Sequence, residues 1–165
     1  MNIQRIFKHL LTTDRHVRRR FSSSTLATIE RAIKDSELAH DGEVRFVIEG
    51  SLEFAALSRG QSARERAIEL FSQLRVWDTQ YNNGLLIYLL LADRAVEIVA
   101  DRGIHERVGA GEWNAICRQV ESAFKRSDFE GGAVAGIRSL TRHLVTHFPA
   151  TRQTANELPD EPVVL

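Results

Sequence analysis

The sequence predicts an α/β fold in which a small mixed sheet is flanked by helices. A helical segment with an N-terminal capping box separates two apolar runs of strand length, and a third run follows the second after a very short turn. The order strand, helix, strand predicts a parallel pair, and the short turn predicts an antiparallel third strand.

Three runs carry the strand pattern. In residues 44–49, Val44, Phe46 and Ile48 alternate with Arg45 and Glu49, and Val47 adds β propensity. Residues 85–91 are apolar throughout, which predicts a strand that is covered on both faces. Residues 95–100 follow after only Ala92-Asp93-Arg94, which is long enough for a tight turn and nothing more.

Helical patterns account for most of the remaining chain. Ser62 and Glu65 form a capping box ahead of an apolar stripe with helical spacing, and Ser22, Gly111 and Asp128 each precede another such stripe. We therefore expect a basic amphipathic segment over residues 1–23, an α/β domain over residues 24–149, and an extended or disordered tail over residues 150–165.

Composition narrows the functional classes. The 165 residues are 43% hydrophobic and 27% charged, which is typical of a soluble globular domain. Lys and Arg number 22, as do Asp and Glu, so no global excess of positive charge draws the chain to nucleic acid or to anionic lipid. The single cysteine, Cys117, excludes an internal disulfide and an all-cysteine zinc site.

The N-terminal segment is basic and amphipathic. It lacks the apolar stretch of a secretory signal, and no run in the chain is long enough for a transmembrane helix. We expect a cytoplasmic protein, with peripheral attachment to the inner face of a membrane as a further alternative. Ile3, Ile6, Phe7, Leu10 and Leu11 fall at helical spacing, and such a helix lies on a membrane, docks on a partner or packs back on the domain.

A polar cluster is predicted where the hairpin of the last two strands begins and ends. Pairing residues 85–91 with residues 95–100 brings the two flanking loops side by side. Carboxylate, amide and carbonyl oxygens are the ligands of hard cations, so Ca²⁺ or Mg²⁺ is the expected cofactor and no organic cofactor is expected. The candidate metal ligands are Asp78, Asn82, Asn83 and Asp101. The neighbouring candidates for ligand binding are Arg102, His105 and Glu106, of which the arginine can hold a phosphate oxygen.

A second candidate site lies at the opposite end of the same strands. Glu49, Asp93 and Arg94 follow the carboxyl ends of the parallel pair, where ligands of open α/β sheets tend to bind. The sequence does not decide between the two sites, and solvated polar loops are an alternative for the first.

Residues 77–103 resemble the signature of the TPM domain family, which includes a thylakoid lumen protein of photosystem repair and many bacterial envelope proteins. The resembling pieces are Asn82-Asn83-Gly84, the apolar strand, Asp93-Arg94, the return strand and Gly103-Ile104. The resemblance implies an α/β/α sandwich, a divalent-metal site and the acid phosphatase activity attributed to the plant member. This chain carries Asp101 and His105 where the family usually has glycine and glutamate.

Two functions follow as expectations. The first is a TPM-like module that binds a protein partner or a membrane surface and has a divalent-metal site. The alternative is a weak metal-dependent acid phosphatase. Nucleic-acid binding is not expected, since only Arg18-Arg19-Arg20 supports it and no aromatic residues interleave with those charges. The oligomeric state is not predicted.

Overall fold

The computed structural model describes residues 3–151 and 156–165. The strands in this part of the chain are β1 (Glu43–Glu49), β2 (Gly84–Leu90), β3 (Ala95–Ala100) and β4 (Val163–Val164). They form one sheet of order β3-β2-β1-β4. The pairs β1–β2 and β1–β4 are parallel and the pair β2–β3 is antiparallel, so the predicted mixed sheet is confirmed.

Helices cover both faces of the sheet. They are α1 (Ile3–Leu11), α2 (Asp14–Arg20), α3 (Ser23–Glu37), α4 (Phe54–Ser58), α5 (Ala63–Gln73), α6 (Arg102–Val108), α7 (Ala110–Lys125) and α8 (Phe129–His147). The apolar residues of α3, α7 and α8 pack on one face, and those of α4 and α5 pack on the other. The architecture is therefore the α/β/α sandwich. None of the helices in the described residues is long and apolar enough to span a membrane.

The central strand β2 is buried on both sides, as its unbroken apolar sequence predicts. Leu85, Ile87 and Leu89 face the core with α3, α7 and α8. Leu86, Tyr88 and Leu90 face the core with α4 and α5. Because side chains alternate along a strand, one apolar run supplies both cores.

The capping box that predicts α5 is present. The main-chain N–H of Glu65 donates to Ser62 Oγ at 3.1 Å, and the main-chain N–H of Ser62 donates to Glu65 Oε2 at 2.7 Å. The loop after α5 then passes close to β2, where a Cβ on Gly84 would collide with the main-chain carbonyl of Val76. Only glycine fits there, which explains the Asn-Asn-Gly start of the strand.

The C-terminal residues form part of the sheet. β4 pairs with the edge of β1, and Arg45 donates to the main-chain carbonyls of Pro159 and Glu161. Leu158 and Asp160 are buried. Residues assigned by sequence analysis to an extended or disordered tail thus include an edge strand, while residues 152–155 of that tail lie outside the described part of the chain.

Candidate functional site

The hairpin brings Asn83, which precedes β2, close to Asp101, which follows β3, at the end of the sheet where β2 begins. Leu85 pairs with Ala100, and the main-chain N–H of Asp101 donates to the carbonyl of Gly84 at 2.9 Å. The register that sequence analysis predicts is therefore the observed one. We call this region, formed by residues 81–84 and 101–106, the hairpin-base site.

Asn83 is held rigidly at the hairpin-base site, and its side chain is fully buried. Its main-chain N–H donates to Thr79 Oγ1 at 3.1 Å, and its carbonyl accepts from the N–H of Glu43 at 3.0 Å. The side-chain amide donates through Nδ2 to the main-chain carbonyl of Asp41. The remaining side-chain oxygen, Oδ1, is buried and has no hydrogen-bond partner among the described residues.

Asp101 is the N-cap of α6, a helix that sequence analysis did not predict. Its Oδ1 accepts from the main-chain N–H of Arg102 at 2.6 Å. Its second oxygen, Oδ2, is buried and, within the described part of the chain, has no partner. A buried oxygen that lacks a partner typically costs about 1–3 kcal/mol, so the site holds two acceptors that would gain from a donor or a cation.

Main-chain oxygens lie close to the same place. A Cβ on Gly103 would lie 2.6 Å from the carbonyl oxygen of Asn82 and 3.2 Å from that of Tyr81. Asn82 has φ +51°, which turns the loop toward the first turn of α6. Glycine at position 103 is required by this close approach.

The other predicted residues of this site are placed differently. Asp78 is bonded to Arg75, with an Nη2–Oδ2 distance of 2.5 Å. Arg102, His105 and Glu106 lie on α6 with exposed side chains. In the described residues, no group of three or more His, Cys, Asp and Glu side chains is arranged to hold a metal ion. Any cation here would rely on one carboxylate together with amide and main-chain oxygens.

At the opposite end of the sheet, Glu49 is bonded within the protein. Tyr88 Oη donates to Glu49 Oε2 at 2.6 Å, and Arg66 donates to both carboxylate oxygens at 3.0 Å. Burial and the neighbouring Glu49 raise the pKa of Tyr88, so the phenol stays a hydrogen-bond donor. Glu49 is therefore part of a buried network under α5.

Asp93 is bonded to the N-terminal helix. Arg5 donates to its carboxylate through Nε at 3.0 Å and Nη2 at 2.7 Å, and His9 Nε2 lies 3.0 Å from Oδ1. His9 Nδ1 accepts from the main-chain N–H of Leu52 at 2.9 Å, so Nε2 carries the proton that faces Asp93. Burial opposes ionisation of Asp93, but the hydrogen bonds from Arg5 and His9 lower its pKa overall.

These contacts give α1 an unusual orientation. Its inner face carries Arg5 and the buried His9, and Ile6 packs on the sheet side with α5. Its outer face carries the large apolar side chains of Ile3, Phe7, Leu10 and Leu11, which are 61–71% exposed. Of the three alternatives for this helix, packing on the domain is observed, and it leaves the apolar face turned outward.

Sequence analysis missed Arg5 and His9 as partners of Asp93. The signal for α1 was its apolar spacing, which predicts an apolar face turned toward a core. The observed contact joins residues that are 84 and 88 positions apart. No local pattern indicates such a pair. The one available signal is His9 itself, a polar residue on the face of α1 opposite the apolar stripe.

Among the described residues, Arg94 forms no ion pair with Glu49 or with Asp93, whose partners are Arg66, Arg5 and His9. It is exposed, has φ +54°, and lines a cleft with Phe124, Lys125 and Phe129 on the α7–α8 side. The second candidate site is thus divided between two faces of the sheet.

Comparison with known families and structures agrees with this architecture. The TPM domain model matches residues 18–143. The NMR structure of the BA42 protein from the psychrophilic bacterium Bizionia argentinensis is 28% identical, with a TM-score of 0.75 over 87% of this chain and 94% of that chain. No curated protein matches at a significant level.

Two more distant structures share the fold. The N-terminal domain of a P. gingivalis protein is 19% identical, with a TM-score of 0.63 over 77% of this chain and 80% of that one. The N-terminal domain of the cg2496 protein from Corynebacterium glutamicum is 17% identical, with a TM-score of 0.56 over 81% and 78%.

Proposed function

We propose that this chain, which belongs to the TPM domain family, is a peripheral module that attaches to an anionic membrane surface through α1 and α2. The outward apolar face of α1 carries this proposal. Ile3, Phe7, Leu10 and Leu11 are 61–71% exposed although the same helix is fixed to the domain by Asp93. Helices that present an apolar face beside basic residues are typical of binding in the membrane interface.

Charge favours a lipid surface over an apolar protein groove. Lys8 flanks the apolar face of α1, and α2 presents Arg15, Arg18 and Arg19. In the parts of the chain that the structure describes, none of these four residues forms an ion pair, so all are available to lipid headgroups. Each Lys or Arg near an anionic surface contributes about 1 kcal/mol to binding. Attachment to a protein partner is the competing outcome.

Vesicle flotation tests the proposal. The protein should float with vesicles of phosphatidylcholine and phosphatidylglycerol and not with phosphatidylcholine alone. Phe7→Ser and Leu10→Ser should reduce binding, whereas Leu38→Ser should not, because Leu38 is 81% exposed but lies at the C-cap of α3, away from α1. Equal loss of vesicle binding in all three variants, or no flotation of the wild type, would contradict membrane attachment. Attachment to a protein partner would then be the remaining hypothesis.

A second proposed function is binding of Ca²⁺ or Mg²⁺ at the hairpin-base site. The unpartnered Oδ1 of Asn83 and Oδ2 of Asp101 support it, and the carbonyls of Tyr81 and Asn82 are nearby. These are the hard oxygen donors that such cations prefer. With a single carboxylate in the set, affinity should be weak.

Thermal unfolding in a metal titration tests the cation site. A cation that binds only the folded state raises the melting temperature by mass action. Asp101→Asn should abolish that rise while leaving metal-free stability nearly unchanged, because asparagine is also a good N-cap. Asp35→Asn, an exposed acid on α3, is the matched control. The variant Asp78→Asn tests whether Asp78, the other carboxylate among the predicted ligands, contributes to cation binding.

Acid phosphatase activity is our alternative proposal for the same site. It depends on the cation, which would polarise a phosphoryl oxygen, and the exposed Arg102 and His105 on α6 would contact the substrate. Hydrolysis of a phosphate monoester with and without added metal, in the wild type and in Asp101→Asn, tests it.

A further inference from the structure

A small basic cleft lies on the face of the sheet opposite α1, at the carboxyl end of β2. Its volume is about 110 Å³. The end of α2 contributes Arg20, the β2–β3 turn contributes Arg94, and the α7–α8 turn contributes Lys125 and Ser127. Leu91, Phe124 and Phe129 form its apolar walls.

The charges that line this cleft are all positive. No carboxylate is among its lining residues. Within the described ranges, Arg20, Arg94 and Lys125 form no ion pair, and Arg20 lies over the ring of Phe129 with 5.4 Å between its guanidinium carbon and the ring centre. Three positive side chains that line one pocket repel each other, and a bound anion would offset this repulsion.

Two acids that adjoin the cleft residues along the chain form hydrogen bonds elsewhere. Asp93 precedes Arg94, but its carboxylate accepts from Arg5 and His9. Asp128 follows Ser127, but its Oδ1 accepts from the main-chain N–H of Gly131 at 3.0 Å. Asp128 and Glu130 line a neighbouring cleft with His16, Arg19 and Arg20, so Arg20 is shared between the two clefts. Among the described residues, the charges of Arg94 and Lys125 are therefore the ones that no carboxylate of either cleft lining is placed beside.

We propose that this cleft binds a dianionic phosphate monoester group. Arginine presents a planar fork that matches phosphate oxygens, and apolar walls strengthen the attraction by excluding water. At about 110 Å³, the pocket is large enough for the phosphate group only, so the rest of the ligand extends outside. The group comes from a lipid headgroup or from a soluble phosphate ester. This site lies at the other end of the strands from the hairpin-base site and does not depend on α1 entering a membrane.

Titration with inorganic phosphate, followed by ¹H–¹⁵N NMR of the full chain, tests the cleft directly. Signals of residues 91–94 and 124–129 should shift and saturate. Arg94→Gln and Lys125→Gln should each weaken binding by about tenfold, which equals about 1.4 kcal/mol. Arg59→Gln is the matched control, because Arg59 is exposed and is the C-cap of α4, which packs on the opposite face of the sheet. Absence of saturable shifts, or equal affinity in all three variants, would overturn the proposal.

Vesicles distinguish the two sources of the phosphate group. If the source is a lipid, wild type should bind vesicles with phosphatidic acid more tightly than vesicles with phosphatidylglycerol at equal surface charge, and Arg94→Gln should lose that preference. If the source is soluble, the phosphate shifts persist without any lipid preference. Because the phosphate titration contains no lipid, failure of membrane attachment and failure of the cleft give different results.

Discussion

Replacing Glu37 with glutamine should make the protein more stable at neutral pH. Glu37 ends α3, and its Oε1 accepts from the main-chain N–H of Val44 at 2.8 Å. The pKa of Glu37 is raised from 4.5 to about 9, mainly by burial and further by the neighbouring carboxyls Glu43 and Asp160, while the hydrogen bond from Val44 acts to lower it. Asp160 lies on the C-terminal segment that carries β4, so the interaction between Glu37 and Asp160 links α3 to that segment.

The sign and size of the effect follow from proton linkage. A carboxyl whose pKa is higher in the folded state stabilises that state fully below the unfolded-state pKa, and this contribution is lost as the pH rises toward the folded-state pKa. For Glu37 the loss runs between pH 4.5 and about 9. At about 1.4 kcal/mol per pH unit, the loss by pH 7 is at most about 3.5 kcal/mol, and partial access of water reduces it to about 1–3 kcal/mol. Glutamine keeps the acceptor oxygen and carries no proton to lose.

Urea unfolding at several pH values measures this difference. Glu37→Gln should match the wild type near pH 4.5 and exceed it progressively up to pH 9, with hydrogen exchange slowed in residues 158–165. Glu53→Gln, which alters an exposed carboxyl, should show no such trend. A variant that is less stable than the wild type at pH 7, or a gap that stays constant with pH, would refute the reasoning.

Three further substitutions test the packing of β2 and the hydrogen-bond networks at the carboxyl end of the parallel strands. Leu89→Ala should cost about 2–5 kcal/mol in urea unfolding, because Leu89 is fully buried in β2; a cost as small as that of an exposed site would contradict two-sided burial. Tyr88→Phe should cost about 1.5–3 kcal/mol, since it removes a 2.6 Å hydrogen bond to the buried carboxylate of Glu49, which Arg66 also contacts; an unchanged midpoint would mean that the bond adds nothing. Asp93→Asn should cost about 1–2 kcal/mol, between exposed and buried ion pairs, and should speed hydrogen exchange in α1 while β2 is unchanged; equal exchange would show that α1 is held by other contacts.

The parts of the fold that the sequence predicts are those with a local physical signal. The alternation in β1, the unbroken apolar run of β2 and the three-residue turn before β3 determine the register of the hairpin. That register alone brings Asn83, just before β2, close to Asp101, just after β3, so this proximity could be deduced without coordinates, whereas a cation site there stays a prediction. The capping box of α5 is similarly local.

The features that sequence analysis missed depend on contacts across the chain. β4 is two residues long, and its pairing with β1 is fixed by Arg45 and by the burial of Leu158. α6 begins at Asp101 with a glycine in its first turn, which weakens the helical pattern there. The same aspartate that sequence analysis took as a cation ligand is also a helix cap, and only its second oxygen is left for another partner.

The dipeptide Asp93-Arg94 shows why the second candidate site could not be assembled from sequence. Both residues follow β2 in one tight turn, so proximity along the chain suggested one site. Arg94 has φ +54°, and this backbone turn directs the two side chains to different surroundings. Asp93 meets Arg5 and His9 and fixes α1 with its apolar face outward, whereas Arg94 lines the cleft with Arg20 and Lys125. The same tight turn therefore contributes to both proposed binding surfaces, the outward face of α1 and the basic cleft. A change in its backbone, such as Arg94→Pro, which cannot adopt a positive φ, should disturb both α1 exchange and phosphate binding, while Arg94→Gln should disturb only the second.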